Sequence, residues 1–299
     1  MGKTVFVFSG QGAQYPGMGK SLYESSEAAK AVFDMAESIR PGTIKQCFEG
    51  TKEELSVTIN TQPCVFAADL AAAAAVAEAG IQPDYVAGFS LGEIAAIAFA
   101  GMLSYEDAFR LVCKRAEFMD KAAQNDKGAM AAVLKIGPEK TEEICAGFKR
   151  AYPVNYNSPL QTVVAAAEDE IDELCAAVKE AKGKAKKLAV SGAFHSPFMD
   201  SAAEELAAYM KDIKIDDPKI PVYSNYTAKP YEGDYKELIA AQVRNPVRWQ
   251  TIVEELIAQG ADNFIEVGVG KTLTGLIKKI NADVNAVNIE TKEGLDALK

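Results

Sequence analysis

The stretch Asp84-Tyr85-Val86-Ala87-Gly88-Phe89-Ser90-Leu91-Gly92-Glu93 decides the fold. Residues 84–89 are short, apolar and bounded by glycine, the pattern of a buried strand. Leu91 to Ala100 follows at once as an apolar helix. A strand that passes into a helix through Gly-x-Ser-x-Gly places its serine on a sharp turn, with the hydroxyl at the end of a sheet. The glycines at 88 and 92 leave room where strand and helix crowd. The N–H of Leu91, at the helix start, points where an oxyanion would form. Glu93, in the first helical turn, suits the helix dipole.

Alternating elements extend on both sides. Lys3–Phe8 reads as a strand and Lys20–Arg40 as a helix stopped by Pro41-Gly42. Gln62–Ala79 is an Ala-rich helix closed by Gly80. Ser104 caps a helix over Tyr105–Asn125, with Asp107 three residues on. Residues 128–191 then run strand, helix, strand, strand, helix, strand, the βαββαβ order of a ferredoxin-like unit. The chain therefore reads as an α/β core over 1–127 and 192–299, with a subdomain inserted at 128–191. In the second core segment Phe198–Lys211, Tyr235–Gln242, Val247–Gln259 and Lys271–Ile280 are helical, and Ile220–Ser224 and Asn263–Val267 are strands.

A serine hydroxyl needs a base. The 299 residues contain one histidine, His195, in the loop Gly192-Ala193-Phe194-His195-Ser196-Pro197. Any imidazole chemistry must use it. Ser before His is the order of α/β-hydrolase-like chains, yet no triad acid is evident between them, so a neutral acceptor is the alternative. Ser9-Gly10-Gln11-Gly12 follows the first strand, where open sheets bind ligands. The third glycine of a dinucleotide fingerprint is replaced by Tyr15, which excludes that motif, but the Gln11 N–H can pair with that of Leu91 as a second oxyanion donor. Arg115 sits on a partly apolar helix; its fork could hold a carboxylate, and a surface arginine is the plainer reading.

The net charge of −10 argues against nucleic acid and anionic membrane. Five scattered cysteines and a single histidine form no ligand set, so no metal is expected. Unclustered cysteines and the lack of a signal-peptide core point to the cytoplasm. Ile94–Ser104, taken as the longest uncharged apolar stretch, is too short to span a bilayer.

GQGAQ at 10–14, GFSLGE at 88–93, KRAEFM at 114–119, VNYNSP at 154–159, GAFHSPFM at 192–199, QVRNPVRW at 242–249 and EVGVGKTLTGLIKKI at 266–280 together resemble the malonyl-CoA:acyl carrier protein transacylases of bacterial type II fatty acid synthesis. The matches run in family order over about residues 3–280. The resemblance implies an α/β-hydrolase-like core with a parallel sheet and the inserted ferredoxin-like subdomain. It implies that Ser90 takes the malonyl group, that His195 is the base, and that the backbone carbonyl of Gln242 orients His195. It makes Gln11 and Leu91 the oxyanion donors, Arg115 the clamp on the malonyl carboxylate, and Asn157 and Phe194 substrate-binding residues. The family commonly has His where this chain has Phe89.

The expected reaction is ping-pong malonyl transfer from malonyl-CoA to the phosphopantetheine thiol of acyl carrier protein, with no bound cofactor and a monomeric enzyme. The alternatives are a trans-acting acyltransferase of polyketide synthesis and a serine esterase or thioesterase. An acidic carrier would need a local basic patch on this acidic chain; Lys182-Gly183-Lys184-Ala185-Lys186-Lys187 and Lys278-Lys279 are candidates.

Overall fold

The computed structural model describes residues 2–190 and 192–298. Its strands are β1 (Lys3–Phe8), β2 (Tyr85–Gly88), β3 (Gly128–Leu134), β4 (Ala151–Ser158), β5 (Gln161–Ala167), β6 (Lys184–Lys187), β7 (Val222–Tyr223), β8 (Ala261–Val267) and β9 (Asn285–Ile289). Five of them form a parallel sheet in the order β7-β2-β1-β8-β9. The other four form an antiparallel sheet, β4-β5-β3-β6, with helices Pro138–Cys145 and Ile171–Glu180 between its strands in sequence. That order and connectivity is ferredoxin-like.

Strand β1 shows why the parallel sheet is central. Val5 to Phe8 are wholly buried, so the run is apolar on both faces, as expected of a strand covered by helices on each side. Phe6 and Phe8 enter one core cluster, and Val5 and Val7 the other. The larger cluster is built on helix Thr58–Glu78, which is buried almost all round. By length and composition this helix could also cross a membrane; here its apolar length is spent on the protein core. It is longer than the stretch at 94–104 singled out from sequence.

Some elements differ from the sequence expectation. The single helix expected over Lys20–Arg40 is two, Lys20–Tyr23 and Glu27–Ile39. Ser26 breaks it by capping the second: its side chain accepts from the Ala29 N–H and donates to Glu78 at 2.6 Å. The helix expected from Gln62 starts at Thr58 and keeps Pro63 in its second turn. The short helices Thr43–Glu49 and Lys52–Ser56 and the terminal pair β9 and Lys292–Asp296 have no expected counterpart. Strand β7 shrinks to two residues at the sheet edge.

Candidate active site

The turn after β2 is forced by its neighbours. A side chain at Gly88 would place Cβ 1.9 Å from the Gly92 carbonyl carbon, and one at Gly92 would fall 2.2 Å from the Phe8 oxygen. Between them Ser90 adopts φ 55° and ψ −106°, a conformation that L-residues rarely take. Such strain persists only where the surroundings over-determine it. Here the Ser90 N–H donates to Asn225 Oδ1 at 2.7 Å, and the Ser90 carbonyl accepts from Gln242 Nε2 at 2.6 Å.

His195 approaches from the segment that returns from the inserted sheet. Its Nε2 lies 2.7 Å from Ser90 Oγ, and its Nδ1 lies 2.9 Å from the Gln242 carbonyl oxygen. A carbonyl only accepts, so Nδ1 carries the proton and Nε2 is left to accept from the Ser90 hydroxyl. The ring is buried, and burial, aided by the nearby Arg115 cation, pulls its pKa down to about 4. The imidazole is therefore neutral and ready as a base at neutral pH.

Arg115 is 1% exposed. It donates to Gln62 Oε1 at 2.7 Å, to Gln242 Oε1 at 2.9 Å and to Ser90 Oγ at 3.3 Å. Its Nε has no partner among the described residues. Burial lowers its pKa to about 10, partly offset by the charge of Glu93, so it remains a cation. Glu93 is fully buried and accepts from the Asn225 N–H at 2.8 Å, from Gln242 Nε2 at 3.2 Å and from the Tyr231 hydroxyl. Burial pushes its pKa up to about 7 against the pull of those donors. The helix-dipole role expected for Glu93 is the lesser part: it is the anchor of a buried polar network.

These groups open into a cavity of about 250 Å³ between the two sheets. Ser90, His195, Arg115, Gln11, Leu91, Phe194 and Asn157 all line it. Among the described residues no hydrogen bond occupies the backbone N–H of Gln11 or Leu91. Asn157 is buried, and its Oδ1 has no hydrogen-bond partner among the described residues. Strands β3, β4 and β5 supply Met130, Ala132, Asn155 and Val163 to the opposite wall. No cluster of metal-binding side chains occurs among the described residues.

Comparison with known proteins agrees with this geometry. The model of the acyl transferase domain family matches residues 5–292. The malonyl CoA-acyl carrier protein transacylase of Bacillus subtilis is 39% identical over 304 residues, covering 99% of this chain and 96% of its own. The chain belongs to the malonyl-CoA:acyl carrier protein transacylase family. Among solved structures of the family, that from Clostridium perfringens superposes with a TM-score of 0.95 at 35% identity, covering 99% of this chain and 96% of that one. A malonyl-transacylase solved in complex with a type II polyketide acyl carrier protein gives 0.95 at 32% identity, with 99% and 98% covered.

Phe89 stands where the resemblance implied a histidine. Its ring meets Trp249 edge-to-face at 5.7 Å between centroids, so this position extends an apolar wall of the transacylase cavity. Three members of the polar network were not singled out from sequence: Asn225, Tyr231 and Gln62. Asn225 carried a usable signal, because a polar residue two positions after a parallel strand stands at the sheet end where ligands bind. Gln62 and Tyr231 carried none, since only the tertiary fold brings them to Arg115 and Glu93. The two lysine patches lie on different elements. Lys184–Lys187 form the edge strand β6, where Lys187 pairs with Asp172. Lys278 and Lys279 end the helix Thr272–Ile280, whose first turn lines the cavity.

Proposed function

We propose that this chain carries a malonyl group from malonyl-CoA to the phosphopantetheine thiol of acyl carrier protein, through an ester on Ser90, in fatty acid synthesis. The observation that carries the reading is a buried arginine fork 3.3 Å from a serine that is itself paired with a neutral histidine. Such a site selects an acyl group bearing a free carboxylate.

Ser90 Oγ attacks the thioester carbonyl as its proton passes to His195 Nε2. The oxyanion forms against the N–H groups of Leu91 and Gln11. The C–S bond breaks, and the Nε2 proton goes to the departing CoA thiolate. The carrier thiol then gives its proton to Nε2, attacks the Ser90 ester, and Ser90 recovers the proton as it leaves. The Gln242 carbonyl holds the imidazole in the required tautomer throughout, in the place where hydrolases have a carboxylate. Arg115 binds the malonyl carboxylate; Asn157 and Phe194 bound the acyl pocket.

The enzyme is read as a cytoplasmic monomer that needs no cofactor and binds neither nucleic acid nor membrane. Its five unpaired cysteines support the cytoplasmic reading, and its net charge of −10 speaks against nucleic acid and anionic membrane as partners. The likeness to a transacylase solved with a polyketide carrier keeps a polyketide role as the second reading.

Intact-protein mass after incubation with malonyl-CoA tests the proposal. The expected result is one malonyl adduct, absent in Ser90→Ala and discharged by carrier protein. Steady release of free malonate without carrier would favour an esterase instead. A panel of fatty acid and polyketide carriers separates the two transfer roles.

A further inference from the structure

We propose that Asn225 is a positioning residue for acyl transfer: it clasps both ends of the nucleophile turn and so aims Ser90 and the oxyanion donor. Its side-chain amide works in both directions. Oδ1 accepts from the Ser90 N–H at 2.7 Å, and Nδ2 donates to the Gly88 carbonyl at 2.6 Å. A donor faces one end and an acceptor the other, so the partners fix which way the amide points. No carboxylate, hydroxyl or aliphatic side chain of this size fills both places at neutral pH.

Asn225 is itself held. It is fully buried, its N–H donates to Glu93 Oε2 at 2.8 Å, and its carbonyl accepts from the Arg248 N–H at 3.0 Å. Glu93 belongs to the helix that starts at the elbow, and Arg248 directly precedes the helix Trp249–Ala258. The loop after the edge strand β7 is thus stitched to the elbow by three side-chain bonds, although β7 contributes only two residues to the sheet. A strained residue such as Ser90 needs this kind of restraint. The arrangement also assigns the N–H groups. The Ser90 N–H is consumed by Asn225, which leaves the oxyanion to Leu91 and Gln11. If the clasp is lost, the turn relaxes, and the 2.7 Å contact between Ser90 Oγ and His195 Nε2 and the aim of the Leu91 N–H are lost with it.

This inference rests on the acyl-transfer reading, and the test separates the two. The full chain is mixed with malonyl-CoA in a rapid-quench instrument, and ester formation on Ser90 is followed by mass. If the parent forms no ester, the acyl-transfer reading fails and takes the inference with it. Given loading by the parent, Asn225→Ala is expected to load about 10²-fold more slowly, the usual cost of a misplaced reacting group. Malonyl-CoA should bind Ser90→Ala and the Ser90→Ala, Asn225→Ala double variant equally well, because no hydrogen bond of Arg115 goes to Asn225.

Asn225→Asp supplies a readout that a merely structural role would not move. As a carboxylate it accepts from the Ser90 N–H but opposes the Gly88 carbonyl; once protonated, its O–H can donate there. Glu93, with Tyr231 on its far oxygen, favours the protonated form, and the more distant Arg115 and His195 do not contact this side chain. The ratio of Asn225→Asp to parent loading is therefore expected to climb as pH drops from about 8 to about 6, opposite to any loss from protonating the base. The proposal is overturned by parent-like loading in Asn225→Ala, or by a pH-independent ratio in Asn225→Asp. The second arm decides alone should the alanine variant not fold.

Discussion

Replacing Arg115 by Ala tests the core of the chemical argument, and its size can be worked from the structure. Arg115 is a buried cation with two glutamine oxygens as fixed partners and Ser90 Oγ within reach. A malonyl carboxylate in this cavity would be a buried charge whose only cationic partner among the described lining residues is this guanidinium. Removing one partner of a buried pair costs about 3–5 kcal/mol. At about 1.4 kcal/mol per decade, that predicts a fall of roughly two to three and a half orders of magnitude in kcat/KM for malonyl-CoA. The substitution also frees Gln242 Oε1, and with it disturbs the residue that orients His195. That damage falls on every acyl donor alike, so the ratio of malonyl-CoA to acetyl-CoA turnover isolates the clamp. The assay is carrier-dependent release of CoA from each donor under matched conditions. Arg115→Lys keeps the charge and loses the fork, and should land between parent and Ala. An unchanged malonyl-to-acetyl ratio in Arg115→Ala would refute the assignment, whatever happened to the absolute rates.

The remaining expectations concern pH and docking. With the His195 pKa pulled down to about 4, kcat/KM for malonyl-CoA should stay level as pH falls through 6.5 and drop only near 4; an acid limb at 6.5 would show that the imidazole titrates as if exposed. Glu93, raised to about 7, binds a proton in the folded state that the unfolded chain releases near 4.5, so its contribution to stability is lost as pH rises through 7. Thermal unfolding of Glu93→Gln should accordingly lose less melting temperature between pH 5 and 8 than the parent, and equal losses would reject the shift. Lys278 and Lys279 lie on the helix that opens at the cavity, and Lys279 reaches Gln161 on its rim at 3.2 Å. Reversing both to Glu should weaken carrier-dependent turnover, more so at low salt, without slowing malonyl loading. Reversing Lys186 and Lys187 on the far edge strand should do less, and the opposite ranking would move the docking face to β6.

Much of this site was legible because its chemistry is local in sequence. The elbow is a contiguous strand, turn and helix, and the single histidine needed no choice among candidates. The inserted unit was legible from its βαββαβ rhythm. What escaped was set by contacts between distant segments. Ser26 ends one helix and caps another because Glu78, 52 residues on, receives its hydroxyl. Glu93 read as a dipole partner because sequence does not show that Tyr231 and Asn225, well over a hundred residues away, close over it. Strand β9 escaped because Asn285-Ala-Val-Asn-Ile289 is short and half polar, and only pairing with β8 makes it a strand.

The wall behind the nucleophile also gives the molecule an optical reporter. Trp249 is the one tryptophan in 299 residues, wholly buried, and its ring is packed on Phe89, the neighbour of Ser90. Indole emission from the whole chain therefore originates beside the ring of the residue that precedes Ser90. No label or second chromophore needs to be engineered, and any change in emission on adding malonyl-CoA would come from this single source.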